Sequence, residues 1–221
     1  MRHSDCYRLA KVLLPNLQGL VTDRRNQIFF APIGNVLKGF LFESTAYARE
    51  DFYFCWFLMP ICEPVNYIKL SNGARLNVPG GNAGWRTDMD DLPQKLLTAM
   101  QPMALPFLRS VNSNQDTINA LYRLRGQSSS GHRTIQVTDI YVQQDIACLH
   151  ILDGQFDKAI VMLDQVIAHE HGTDQRQWIL NIVERTKGLR VKLLEKPELA
   201  VDQVREWQDH TFKALKLEKW R

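Results

Sequence analysis

The most constraining feature of the sequence is an unbroken, largely apolar run at residues 52–59, which is Phe-Tyr-Phe-Cys-Trp-Phe-Leu-Met. Side chains alternate between the two faces of a strand, so a run without polar alternation must bury both faces. Pro60 and Pro64 follow closely, and because proline cannot donate to a strand ladder, the strand must stop pairing there. The run therefore predicts a strand in a sheet that is covered on both sides.

A small antiparallel sheet is predicted around this strand, at about residues 40–78. Residues 40–45 have the aromatic and β-branched character of a second strand. Residues 65–70 and 74–78 flank the turn-forming sequence Ser-Asn-Gly at 71–73, and this arrangement predicts a hairpin. All strands of the sheet are thus expected at about residues 40–78.

One helix is predicted before the sheet. Residues 4–21 carry leucines at helical spacing and should pack as one cover of the sheet. Pro15 lacks an N–H group and clashes with the preceding turn, so we expect the helix to kink or end near Leu14. After the sheet, the turn formers at 79–91 mark the clearest internal boundary of the sequence.

Helical patterns dominate the remainder of the chain. They cover residues 92–110, 115–124, 137–152, 156–170, 174–194 and 197–217. We therefore expect an α+β protein with a small antiparallel sheet, one preceding helix and a helical C-terminal half, folded as a single compact domain over 1–221. A division into an α+β part at 1–90 and a helical part at 91–221 is the alternative.

Composition and charge exclude several classes of protein. Hydrophobic residues make up 45% of the chain and charged residues 23%, which is typical of a folded globular protein. The net charge of +3 is too small to favour a nucleic-acid partner. We find neither a signal-peptide core nor a run of membrane-spanning length, so we expect a cytoplasmic protein without a membrane partner. The four cysteines have no CxxC spacing and are expected to be buried free thiols.

One segment, residues 145–169, has the shape of a helical hairpin. Gly154 can adopt the left-handed conformation that ends a helix, Phe156 can plug the turn, and Ala159 allows two helices to approach closely. The segment resembles a tetratricopeptide-type hairpin. Because a second copy at a spacing of about 34 residues is not evident, an isolated hairpin within a compact domain is favoured. The alternative is a short repeat-like cradle for a peptide or a partner helix.

A second resemblance concerns the sheet region. The sequence at 35–44, together with 52–60 and 70–76, is similar to small bacterial proteins of unassigned function, some of which neutralise toxins. The resemblance implies binding to another protein and indicates no site.

The sequence His169-Glu170-His171 is a candidate metal site, because imidazole and carboxylate groups are common metal ligands. On a helix, side chains two positions apart point in nearly opposite directions, so both imidazoles can hold one ion only if the helix has already ended there, which Gly172 would allow. We therefore interpret this sequence as a polar helix end, and we predict no metal site and no cofactor. Asp90 or Asp91 is similarly interpreted as an N-cap of the helix that begins at Leu92.

Trp85 and Arg86 are the predicted partner contacts. They lie in a glycine-rich loop, where no core periodicity explains a tryptophan, and both residue types are favoured at binding hot spots. The alternative is that Trp85 folds back onto the edge of the sheet.

The absence of a recognisable catalytic motif favours a non-enzymatic protein that binds another protein, with an immunity-type inhibitor of a toxin as one form. The alternative is a small hydrolase or transferase with a cleft between the sheet and the helical half. Its candidate residues are Glu43, Tyr47, Arg49, Arg75 and His150.

Overall fold

The computed structural model describes residues 2–23, 25–46, 48–82, 84–127, 135–171 and 176–221. The α-helices in these ranges are α1 His3–Leu13, α2 Leu92–Met100, α3 Ala104–Ser110, α4 Asn114–Gln127, α5 Ile135–Leu152, α6 Phe156–Ile167, α7 Gln177–Glu195 and α8 Pro197–Leu215. The strands are β1 Leu20–Thr22, β2 Gln27–Phe30, β3 Val36–Ser44, β4 Asp51–Pro60, β5 Gly73–Leu76 and β6 Gly84–Arg86. The predicted α+β class is confirmed, with one helix before an antiparallel sheet and a helical C-terminal half.

The chain forms two compact units. The first contains Met1–Met59, Ile68–Val111 and Leu217–Arg221, and it holds the sheet with α1, α2 and α3. The second contains Pro60–Tyr67 and Asn112–Lys216, and it holds α4 to α8.

The sheet of the first unit is ordered β1-β2-β3-β4-β5, and β6 also pairs with β4. Along β4, residues 51–53 pair with β6 and residues 54–57 pair with β5. Residues on both faces of β4 are buried, from Phe52 to Met59 with the exception of the half-buried Tyr53, as the apolar run predicted.

Aromatic rings fill one face of the sheet. The ring centroids of Phe42 and Phe54 are 4.9 Å apart and those of Phe40 and Phe54 are 5.6 Å apart, both in stacked arrangements. Such pairs add about 0.5–1.5 kcal/mol each beyond the burial of their area. Gly39 of β3 pairs with Phe29 of β2, and a Cβ atom at Gly39 would lie 2.1 Å from the Ile28 carbonyl oxygen. The close approach of the two backbones therefore requires glycine.

The predicted hairpin of residues 65–70 with 74–78 is wrong. β5, which begins at Gly73, pairs with residues 54–57 of β4, and residues 65–70 form no strand. The predicted first strand of the hairpin is divided between the two units, with residues 65–67 in the second unit and residues 68–70 in the first, and β5 pairs with β4 instead. The sheet also extends beyond the predicted range, because β1, β2 and β6 lie outside residues 40–78.

Two prolines determine where helices of the first unit stop. The α-helical part of the first helix ends at Leu13, and Pro15 lies in a short 3-10 turn, as predicted. The predicted helix at 92–110 is instead two helices, separated at residues 101–103. Pro102 lies in this gap, and its missing N–H group accounts for the interruption.

Asp91 occupies the predicted N-cap position of α2, but its side chain makes no capping hydrogen bond.

α5 and α6 of the second unit form a close helical hairpin. Gly154 in the turn has a φ of +69°, the left-handed conformation that glycine favours, and Ala159 on α6 is fully buried. Leu163 and Val166, one and two turns further along, are also fully buried and give α6 its apolar face. The helices confirm the predicted element types, whereas the resemblance to a tetratricopeptide hairpin stays a prediction.

All four cysteines are buried, as expected. Within the ranges described above, none of the helices has the length and apolar character needed to cross a membrane.

Candidate binding pocket

A pocket of about 330 Å³ lies within the second unit. Its walls come from the segment 63–67, from α7, and from single positions on α5 and α8. The lining residues are Glu63, Pro64, Val65, Asn66, Tyr67, Tyr141, Trp178, Asn181, Ile182, Arg185 and His210. The volume is at the lower end of small-molecule sites and suits one or two amino-acid side chains.

Thr211 holds the loop wall of the pocket in place. The Thr211 hydroxyl donates to the Glu63 carbonyl oxygen at 2.7 Å and accepts the Val65 N–H group at 3.1 Å. Thr211 is fully buried, and a hydroxyl group can make both bonds at once because it is a donor and an acceptor. The backbone at residues 63–65 is thereby fixed to α8.

An ion pair joins the loop wall to α7. Arg185 Nη2 donates to Glu63 Oε2 at 2.5 Å and to Gln144 Oε1 at 3.3 Å. The Glu63 side chain is 4% exposed and that of Arg185 is 25% exposed. Because the pair is largely desolvated, removing either partner would leave a poorly compensated charge.

The aromatic wall consists of Tyr141 and Trp178. Their rings are stacked with centroids 5.2 Å apart and planes 3° apart, and both side chains are half-buried. The Arg176 guanidinium lies 5.1 Å from the centre of the Trp178 ring, within the range of a cation–π interaction. Tyr67 on the loop is 54% exposed and provides a further ring at the pocket.

The side chains that line the pocket determine its chemistry. None of them is a serine, a threonine or a cysteine, and Glu63, His210 and two tyrosines are among them. The walls offer aromatic rings, the Asn66 and Asn181 amides, His210 and the Arg185 guanidinium, which are suited to stacking and hydrogen bonding.

The predicted contact residues Trp85 and Arg86 lie on β6 of the first unit. Trp85 is fully buried, its ring packs on Phe52 and Phe54, and its indole Nε1 donates to the Leu76 carbonyl oxygen at 2.7 Å. In this conformation Trp85 offers no surface to a partner, as the folded-back alternative expects. Arg86 is exposed, so it is the accessible member of the predicted pair.

Arg86 is already engaged by a neighbouring carboxylate. Its Nε and Nη2 atoms donate to Asp88 Oδ1 and Oδ2 at 2.9 and 2.8 Å. These hydrogen bonds raise the pKa of Arg86 and lower the pKa of Asp88. A role of Trp85 and Arg86 in partner binding stays a prediction.

The structure brings together two of the alternative catalytic candidates. Arg75 Nη2 donates to Glu43 Oε2 at 3.2 Å on the sheet, and the Cys55 thiol lies 3.9 Å from the same oxygen. Burial, followed by the nearby Glu43 carboxylate, raises the pKa of Cys55 to about 11, which keeps the thiol protonated at neutral pH. Arg49 is exposed, and Tyr47 lies outside the described residues.

His150, the remaining candidate, lies on α5 in the second unit and is buried. Its Nδ1 atom donates to Gln155 Oε1 at 2.9 Å, which anchors the ring across the hairpin turn. Burial lowers the pKa of His150, although the Gln155 hydrogen bond opposes this effect. The imidazole is therefore neutral at physiological pH and is used in a structural contact.

Sequence reasoning missed the pocket. Its lining residues extend from Glu63 to His210 and lie on four separate segments, so no local motif brings them together. The one local signal was Trp178 near the start of an amphipathic helix with Arg176 before it, a combination favoured at hot spots.

No family model, curated protein or solved structure matches the chain. The chemistry of the pocket is therefore the feature of the molecule that bears on function. In the described ranges, no three His, Cys, Asp or Glu side chains are grouped so that they could hold a metal ion. At the His169-Glu170-His171 sequence, which forms a 3-10 turn, Glu170 accepts a hydrogen bond from Lys187 at 2.5 Å.

Proposed function

We propose that this chain is a non-enzymatic protein that binds another protein, and that the pocket of the second unit receives a side chain of that partner. The observation that carries the proposal is the combination of Tyr141, Trp178 and Arg185 around one fixed concavity. Tryptophan, tyrosine and arginine are the residue types that dominate binding hot spots, and such residues contribute most in preformed, partly desolvated pockets.

The remaining chemistry of the described residues supports a binding role. Glu43 and Arg75 are paired with each other, His150 is bound to Gln155, and the Cys55 thiol has a raised pKa. Each of these groups is used in a structural contact or held in an unreactive form.

The experiment that tests the proposal fills the pocket. Asn181 is exposed at the pocket wall and accepts a hydrogen bond from Gln177 Nε2, four residues earlier on α7, at 2.9 Å. Asn119 on α4 is equally exposed and accepts the same type of bond from Gln115 at 3.1 Å, but it does not line the pocket. Asn181→Trp and Asn119→Trp are therefore matched variants.

Peptides are selected from a displayed random library on the full chain, and each selected peptide is then measured against both variants. We expect Asn181→Trp to abolish binding and Asn119→Trp to retain it, with unchanged unfolding midpoints as the control. Binding that survives Asn181→Trp, or a selection that yields no specific peptide, contradicts the proposal.

Immunity-type inhibition is the narrower form of this proposal. It expects that affinity purification from native cells with the wild-type chain and Asn119→Trp yields one toxic protein, and that Asn181→Trp does not. Co-expression with that protein should restore growth only for chains that bind it. Growth that is restored equally by Asn181→Trp would contradict a role of the pocket in neutralisation.

A further inference from the structure

We propose that the pocket recognises an acidic segment of its protein partner, with an Asp or Glu side chain at the Arg185 guanidinium and the adjacent apolar side chain on the aromatic wall. This inference rests on the proposed function. It adds the chemical class of the segment that is bound.

The two charges in the pocket are unequally exposed. The Arg185 side chain is 25% exposed, whereas the Glu63 carboxylate that pairs with it is 4% exposed. A ligand entering the pocket therefore meets more of the cation than of the compensating anion, although both residues line the pocket. None of the other residues lining the pocket is acidic. The accessible charge of the pocket is consequently positive.

Hydrogen-bond donors are in local excess around Arg185. Arg185 Nε and Gln144 Nε2 are both buried and make no hydrogen bond to the described residues. Since Arg185 Nη2 already donates to Gln144 Oε1, these two unsatisfied groups belong to the same network. Buried donors without acceptors are costly, and a carboxylate has two oxygens that can accept several hydrogen bonds. A carboxylate that approaches the exposed part of the Arg185 side chain would add acceptors to this donor-rich network.

The Arg185 guanidinium is preorganised for binding. The guanidinium is held by Glu63 and Gln144, and it lies 5.7 Å from the centre of the Trp207 ring. Glu63 is itself held through its carbonyl group by Thr211. Because these contacts exist before binding, the arginine side chain loses little conformational entropy when it binds a ligand.

The aromatic wall explains why an apolar neighbour is expected beside the acid. The stacked Tyr141 and Trp178 rings provide an amphipathic surface, and Tyr67 is largely exposed. Arg176, above Trp178, places a second cation next to the same wall. An aromatic or aliphatic side chain of the partner that packs on this surface would therefore lie close to positively charged groups. Acidic residues next to that side chain in the partner sequence would be attracted to these groups.

The test uses the selected peptides as probes, each synthesised in three forms with the acidic residues intact, changed to Gln or Asn, or changed to Lys. Affinities are measured by fluorescence polarisation at low and at physiological salt. We expect enrichment of Asp or Glu next to an apolar residue, a loss of about tenfold or more for the amide forms, and a larger loss for the Lys forms. Higher salt should weaken only the acidic peptides.

Protein variants provide the second arm. Arg185→Gln should remove the preference for acid over amide, and Arg185→Lys, which keeps the charge opposite Glu63, should restore part of it. If Arg185→Gln does not fold, the peptide forms alone still decide the question, because they require no change in the protein.

The possible outcomes separate the two proposals. Peptides that lose binding with Asn181→Trp but bind equally in acid and amide forms overturn the acidic segment and leave the proposed function in place. Binding of free phenylacetate that is as tight as that of the peptides would overturn a peptide source and point to a small carboxylate. Failure of every peptide to depend on the pocket overturns both proposals.

Discussion

Trp85 and Trp178 differ in what surrounds them. Trp85 is fully buried against Phe52 and Phe54, and its neighbour Arg86 is exposed beside an exposed carboxylate, Asp88. Trp178 is half-buried in a pocket wall, and Arg185 nearby is paired with a carboxylate that is almost completely buried. The comparison teaches that residue type alone does not identify a binding site. The burial of the paired carboxylate also matters, because a partner meets both charges where the carboxylate is exposed and mainly the arginine where it is buried.

The largest expected effect tests the structural role of the first tryptophan. Trp85→Ala should lower the free energy of unfolding by about 3–5 kcal/mol, because it removes a fully buried indole from the aromatic layer. Trp178→Ala should cost about 1–2 kcal/mol, because its ring is only half-buried. Denaturant unfolding of both variants measures the difference. Equal costs would mean that the two tryptophans are not distinguished by burial.

Alkaline pH tests the first unit. Burial raises the pKa of Cys6 and Cys55 from 9.0 to about 11, so folding favours the protonated thiols. This contribution is fully present below pH 9 and is lost as pH rises towards 11, on the order of 2 kcal/mol for each thiol. Unfolding under reducing conditions should therefore show a shallower decline over this range in the Cys6→Ala, Cys55→Ala double variant. An identical slope would contradict the burial of the thiols.

The two arginine partners should respond differently to neutralisation. Glu63→Gln should lower the free energy of unfolding by about 1–3 kcal/mol, because it removes a buried charge-assisted hydrogen bond. Asp88→Asn should leave the unfolding midpoint unchanged within error, because exposed ion pairs are screened by water and salt. Thermal or denaturant unfolding midpoints provide the measurement. A larger effect of Asp88→Asn than of Glu63→Gln would contradict the burial of the Glu63–Arg185 pair.

Acidic pH tests the second unit and has the smallest expected effect. Burial lowers the pKa of His150 below 6.5, so the unfolded chain takes up the proton first as pH falls. Stability should therefore decrease as pH drops below about 6.5 and level off once pH is below the pKa of the folded state. His150→Gln should flatten this part of the pH profile. A profile that is unchanged by the substitution would show that His150 does not titrate differently on folding.

Local patterns were sufficient to predict much of the fold. The apolar run at 52–59 predicted a strand with two buried faces because that requirement is met within one element. Pro15 ended the first helix because its effect on the backbone is local. Pro102 interrupts the helix in the same way. The apolar spacing at 92–110 continues across Pro102, so the sequence predicted one helix where the structure has two.

Features that depend on distant partners were not predictable in the same way. Ser-Asn-Gly at 71–73 is a good turn sequence, yet the strand that begins at Gly73 pairs with β4, which lies further away in the sequence than residues 65–70. The burial of Trp85 depends on its position opposite Phe52 in the sheet, which the loop sequence does not indicate. The pocket depends on Thr211 and Glu63, which are 148 positions apart in sequence.

The discontinuity of the two units has a consequence for synthesis of the chain on the ribosome. The chain passes from one unit to the other after residues 59, 67, 111 and 216. The loop wall of the pocket is made long before Thr211, to which it is bonded, and Trp220 is made long after Phe29, on which its ring packs. Neither unit can be completed until nearly the whole chain has emerged. No single proteolytic cut, whatever its position, releases either unit intact.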